Sequence, residues 1–173
     1  MYKTTIFGLD VINHYNIHKA IAAYFHEAQH IWRCDGTTAI VYSAELPKGE
    51  LTLGMSCGSK EVAALVSGDV FPALLRVNAC KHTGERYVPL QDQEIQAWLP
   101  AHLPGFQVTS AQFARVKSVM HKTTDTATHR ITLSGYDVSA VLEVVDAEKA
   151  TATMAAGVGR GRRLGFGLIL PLA

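Results

Sequence analysis

The sequence contains only three cysteines, Cys34, Cys57 and Cys80, with no C-x-x-C pair among them. An odd, scattered set of thiols argues against a disulfide framework or a cysteine-rich zinc site, and fits a reducing cytoplasm. No apolar run approaches the roughly 20 residues that cross a bilayer. The opening "MYKTTIFGLD" lacks the basic-then-apolar pattern of a secretory leader. The expectation is a cytoplasmic protein without a membrane partner. Excess charge of one sign is also missing, since the formal net charge is +1. A global basic field is therefore not what would attract a nucleic acid. There is no G-x-x-x-x-G-K-[ST] loop, no dinucleotide fingerprint behind a strand and no internal repeat.

What is present suits a folded domain or a pair of small ones. The 173 residues are 48% apolar and 18% charged, enough for a real core and too little charge for long disorder. "KTTIFGLDV" predicts a first strand. From Asn13, a suitable N-cap, to about His30 the pattern turns helical, with Ile17, Ile21, Tyr24, Phe25 and Ala28 on one stripe. "HIWRC", a D-G turn and "TTAIVYSAEL" predict a hairpin. "LPKGELTLGMSCGSK" reads as loop, and strands are expected on either side of "SGD". "DQEIQAWLPAHL" predicts a helix, and "GFQVTSAQFARVKSVMHK" and "HRITLSGYDVSAVLEVVD" predict strands joined by a polar "TTDTAT". "AEKATATMAAGVG" predicts a last helix closed by Gly157 or Gly159, before a strand in "GFGLILPL". The order implies an α+β fold of two split-βαβ halves. Their boundary is expected near residue 85, giving units 1–85 and 86–173.

Local charge is uneven. Between Phe106 and Ile131, Arg115, Lys117, Lys122 and Arg130 face a single Asp125. From Gly157 onward Arg160, Arg162 and Arg163 stand among glycines without an acid. Such runs are either solvated faces or seats for an anion. Three motifs compete for the chemistry. "HEAQH" (His26–His30) is formally H-E-x-x-H, which on a helix would offer zinc two imidazoles with Glu27 as base. Its helix is expected to end there, and "IWRCDG" supplies no third histidine. "RRLGFG" (Arg162–Gly167) has the R-x-x-G-x-G spacing of an acyl-carrier pyrophosphate cradle, yet a strand rather than a helix follows it. "YNIH" (Tyr15–His18) is better placed. His18 lies at the edge of the apolar stripe and Tyr15 one turn back on the open side, so packing holds the imidazole while leaving it reachable. A structural histidine is the alternative.

Four segments in order resemble one family. "YNIHKAIAAYF" resembles a first helix carrying Y-x-x-H, and "LLRVNACK" a strand with R-x-x-x-x-K. "RYVPLQDQEIQAWL" resembles a V-P-L segment with its following helix. "LSGYDVSAVLEVVDAEKATATMAAGVGRGRRLGFGLILPL" resembles a C-terminal run of spaced glycines. The set is similar to the CRISPR repeat-RNA endoribonucleases of the Cascade E-subtype, the CasE family. The resemblance implies two ferredoxin-like (RRM-like) domains in tandem. It implies metal-independent cleavage of CRISPR precursor RNA 3′ of the repeat stem-loop, leaving a 2′,3′-cyclic phosphate. The mature crRNA would stay bound within a Cascade-like effector complex. It assigns catalysis to His18 with Tyr15 as partner, and requires no metal or other cofactor. The chain is shorter than is usual in the family, which leaves open a type IV CRISPR variant or a form that binds without cleaving.

A stem-loop offers a protein mainly phosphates and shape. The expected cationic strip is Arg115, Lys117, His121, Lys122, His129 and Arg130, with Arg160, Arg162 and Arg163 as a backbone clamp in the glycine-rich segment. Arg76 and Lys81 are either further phosphate contacts or ordinary solvated ends. The isolated protein is expected to be a monomer. Alternatives from other classes are a non-catalytic subunit that caps the guide RNA, and a zinc hydrolase built on "HEAQH".

Overall fold

The computed structural model describes residues 1–9, 14–26, 28–51, 54–123 and 128–172. Two four-stranded antiparallel sheets account for most of it. The first unit runs β1 (Tyr2–Phe7), α1 (His14–Phe25), β2 (His30–Asp35), β3 (Thr38–Ser43) and β4 (Ser56–Glu61), with sheet order β2-β3-β1-β4. The second runs β5 (Val70–Val77), a small hairpin of β6 (Cys80–His82) and β7 (Tyr87–Pro89), α2 (Asp92–Ala101), β8 (Phe106–Thr123), β9 (Thr128–Val144), α3 (Ala147–Ala156) and β10 (Ile169–Pro171). Its sheet order is β10-β5-β9-β8. Within each unit the fourth strand lies beside the first and the third on the first's other side. This is the ferredoxin-like order, twice, as the resemblance implied. No helix of the described residues is long and apolar enough to cross a membrane.

The boundary is not at 85. β5 pairs with β9 from Val70↔Glu143 to Val77↔Tyr136 and with β10, so it opens the second unit. The first unit nonetheless has four strands, because "SCGSKE", within the stretch read as loop from sequence, is its fourth, though no helix stands between β3 and β4 among the described residues. That strand is exposed along its whole length, so it carries no apolar alternation to betray it. Ladder bonds to β1 hold it, together with the Thr4–Ser59 hydroxyl pair (2.9 Å) and the Tyr24 hydroxyl against Cys57 Sγ (2.9 Å). Lys60 and Glu61 keep the open edge charged, which discourages pairing with another chain.

The stripe on α1 behaves as its spacing predicts. Ile17, Ile21, Tyr24 and Phe25 are buried with Ile6, Trp32 and Val41 on the first sheet. The helix stops at Phe25, so Ala28 lies beyond it, and the proposed cap Asn13 falls outside the described residues. β2 is buried on both sides. Trp32 points into the first core, while Ile31 joins the second core of Leu75, Val77, Ile95, Leu99, Val138 and Met154. β2 is thus the joint between the units.

β8 and β9 are much longer than β5. Beyond Arg115↔Tyr136 they continue without it, as a two-stranded ribbon to Thr123↔Thr128. Residues opposite one another in register share a face. One ribbon face carries Arg115, Lys117, Val119 and His121 with Ser134, Thr132 and Arg130. The other carries Val116, Ser118 and Met120 with Leu133, Ile131 and His129. β8 packs against α1, and Met120 is only 1% exposed.

Candidate functional site

His18 sits where three elements meet: α1, the start of β2, and a single 3₁₀ turn at Arg162–Leu164 inside the glycine-rich segment. Its Nδ1 is buried and has no hydrogen-bond partner among the described residues. Its pKa lies below the usual imidazole value of 6.5, first because burial disfavours the cation, then because His30 and Arg163 add positive charge nearby. A neutral imidazole at working pH can accept a proton. The Tyr15 ring lies 6.2 Å from the His18 ring, tilted by 55°, and Lys19 Nζ stands 5.2 Å from the centre of the Tyr15 ring.

His30 is fixed differently. Its Nδ1 donates to the carbonyl of Ala28 (2.7 Å), and its ring stacks on Phe25 at 5.5 Å. His26 sits in the left-handed region (φ 44°) just past the end of α1, and His30 begins a strand. The two imidazoles of "HEAQH" therefore do not stand one turn apart on a helix, the geometry a zinc motif requires. Glu27 is outside the described residues. Among the described residues no three histidine, cysteine or acidic side chains gather around a possible metal.

The glycine-rich segment is a folded loop rather than a cradle at a helix N-terminus. Gly157 caps α3, and Gly159 turns the chain at φ 74°. Arg160 forms an isolated bridge with Asn78, and Gly167 N–H donates to Arg76 O (2.7 Å). The 3₁₀ turn is flanked by Gly161 and Gly165, both left-handed. A Cβ on Gly165 would stand 3.0 Å from the Trp32 ring. The three arginines separate. Arg163 is near enough to His18 to act on its charge; Arg162 donates to Ala156 O (2.9 Å); Arg160 lies over Tyr87, its guanidinium carbon 3.4 Å from the ring centre.

The remaining cations divide in the same way. Arg115, Lys117, His121 and Arg130 are exposed on the ribbon face turned away from α1. His129 is exposed on the opposite face. Lys122 pairs with His129 in register, and its side chain is outside the described residues. The strip is therefore two-sided, with its denser face turned away from α1. Arg115 is also bonded to Asp92 (2.5 Å) and lies over the Tyr136 ring. Arg76 departs furthest from the expectation. It makes a two-pronged pair with Asp137 (2.7 and 2.9 Å), only 20% of its side chain is exposed, and Asp35 lies within 3.8 Å. This pair staples β5 to β9. Lys81 is paired with Glu94 at the start of α2.

A groove of about 640 Å³ opens between α2, α3 and the glycine-rich loop, lined in part by Tyr87, Trp98, His102, Lys149, Arg160 and Arg162. Sequence reasoning assigned no role to Trp98, His102 or Tyr87. The only signal there was an aromatic and a histidine four residues apart on a helix.

The family model described as CRISPR associated protein matches residues 7–171. No curated protein matches the chain in sequence. Among solved structures, a CRISPR endoribonuclease Cse3 bound to a 19-nucleotide RNA is similar at TM-score 0.87 and 23% identity, over 100% of both chains. Thermus thermophilus Cse3, bound to an RNA representing a pre-cleavage complex, is similar at TM-score 0.82 and 22% identity, over 99% of both. Cas6e from Escherichia coli K-12 is similar at TM-score 0.78 and 20% identity, over 99% of this chain and 100% of that one. At these identities the likeness establishes the doubled fold.

Proposed function

Because this chain belongs to the CRISPR-associated protein family, we propose that it is an endoribonuclease that cleaves CRISPR precursor RNA beside a repeat stem-loop and keeps the product. The named activity of the similar Cse3 and Cas6e proteins supports the reaction class. The observation that carries the assignment is His18: a half-buried imidazole whose pKa is lowered by burial and by the nearby His30 and Arg163, at the meeting point of both units.

Strand cleavage of this type uses the RNA's own 2′-OH. His18 takes its proton, and the 2′-oxygen attacks the adjacent phosphorus. The bond to the 5′-oxygen breaks, leaving a 2′,3′-cyclic phosphate and a 5′-hydroxyl once that oxygen gains a proton. Placing a base at the reacting hydroxyl is worth roughly 10²–10⁴-fold. In this reading the guanidinium of Arg163, close enough to His18 to lower its pKa, meets the charge that grows on the phosphoryl oxygens, and a fixed cation there stabilises the transition state more than the ground state. Tyr15 orients the nucleotide. Arg115, Lys117, His121 and Arg130 hold stem phosphates, whose recognition is by shape and charge. A chain of similar fold in a solved CRISPR RNA-guided surveillance complex (TM-score 0.74, 13% identity) supports crRNA and complex subunits as partners.

The test is incubation of the purified protein with a labelled repeat hairpin, with and without EDTA. Cleavage that survives EDTA and is abolished in His18→Ala is expected. Tight binding without cleavage by the wild type would instead establish a guide-capping subunit.

A further inference from the structure

The groove between α2 and α3 is not used by the chemistry above, and its lining is specific in kind. Trp98 and His102 stack at 4.1 Å with planes 16° apart, and His102 Nδ1 donates to the Trp98 carbonyl (2.8 Å), which locks the pair. Arg160 and Tyr87 also line the groove, the guanidinium carbon 3.4 Å above the Tyr87 ring centre. Arg162 adds to the cationic rim together with Lys149, whose ammonium also pairs with Asp146 just outside the lining (2.8 Å), and no carboxylate lines the groove itself among the described residues. Gly159 brings the loop in. A Cβ there would stand 3.1 Å from the Trp98 ring.

Flat π and guanidinium surfaces around a cationic concavity are what an unpaired nucleotide recognises: bases stack, and phosphates pair with the rim. The volume lies in the range of small-ligand sites. The groove also continues toward the ribbon. Tyr87 lines it, while Pro89, two residues further along β7, lines a second hollow that includes Arg115 and Lys117 on the basic ribbon face. Asn78, which also lines the groove, donates to the carbonyl of Ser134 in that second hollow (2.8 Å).

We propose that this groove binds one or two unpaired nucleotides flanking an RNA stem held on the basic ribbon face. The stem's position rests on the function proposed above; the groove's affinity for single strands does not.

Two measurements test it. First, a hairpin RNA with a four-nucleotide adenylate flank, 5′ or 3′, is compared with the bare hairpin by equilibrium binding. At one of the two ends the flank tightens binding about tenfold in the wild type, the scale of one stacked base. That ratio falls to about one in Trp98→Ala and in His102→Ala. Because the ratio is internal to each variant, a loss of stability common to both RNAs cancels. Second, the chain has two tryptophans, and Trp32 is fully buried. A tetra-adenylate strand should therefore quench fluorescence in the wild type but not in Trp98→Phe. Equal affinity for flanked and bare hairpins at both ends, with no quenching by tetra-adenylate, would overturn the proposal and leave the groove to a protein partner. Failure of the bare hairpin to bind, with quenching retained, would overturn the stem's placement while preserving the groove.

Discussion

The indole N–H of Trp32 donates to the carbonyl of Arg163 at 3.3 Å, across 131 residues of sequence. Through this bond the joint strand β2 holds the 3₁₀ turn that presents Arg163 to His18. The glycine-rich segment thus reaches the His18 neighbourhood as well as the groove. Gly165 is the position where this depends on glycine, since it combines φ +84° with the Trp32 ring 3.0 Å from any added Cβ. Gly165→Ala should cost about 1–2 kcal/mol of stability from the left-handed backbone alone. Displacing the turn should lower the single-turnover cleavage rate more than it weakens hairpin binding. Equal reductions in both would place Arg163 in binding rather than in the chemistry.

The pH profile follows from the depressed pKa of His18. A base works in its neutral form, and lowering the pKa extends that form toward acid. With His18 as base, cleavage should fall to half its plateau only at a pH below 6.5, the ordinary imidazole value. A rate already halved above 6.5 would contradict this. Stability should move the other way. Where the unfolded chain binds a proton that the folded chain refuses, folding is penalised. His18→Gln should therefore gain stability relative to the wild type at pH 5 compared with pH 8, in parallel urea melts.

Lys117 and Arg130 share the exposed ribbon face. Reversing both charges should weaken hairpin binding strongly. It should also flatten the slope of log K against log salt, by roughly 0.7–0.9 for each phosphate that the variant leaves unneutralised. An unchanged slope would move the stem elsewhere.

Arg76 should register in stability. Its two bonds to Asp137 join β5 to β9, and Arg76→Ala would strand a half-buried carboxylate. The expected loss is about 1–3 kcal/mol, read as a lower urea midpoint.

Much of the fold was legible because it rests on periodic burial. Ile17, Ile21, Tyr24 and Phe25 repeat at helical spacing, and β9 alternates toward the second core. What escaped were elements without that signature. β4 has no buried face, so its residues read as loop, and the expected unit boundary falls too late as a consequence. Tyr15 and His18 were visible because one turn of helix brings them together. Arg163 was visible only as charge, since nothing local states where a loop so far along the chain will lie. Arg76 looked like its neighbouring cations because a partner on another strand leaves no trace in nearby residues.

The sequence by itself determined the α+β composition, the helix that carries His18 and the chemistry available to an imidazole at its edge. Those depend on local propensity and on the spacing of apolar side chains. Only the tertiary structure decided which cations stay exposed, which serve as staples, and that one loop divides its arginines between a histidine and an aromatic groove. Those depend on pairings between distant strands, where geometry, rather than residue type, sets what each charge meets.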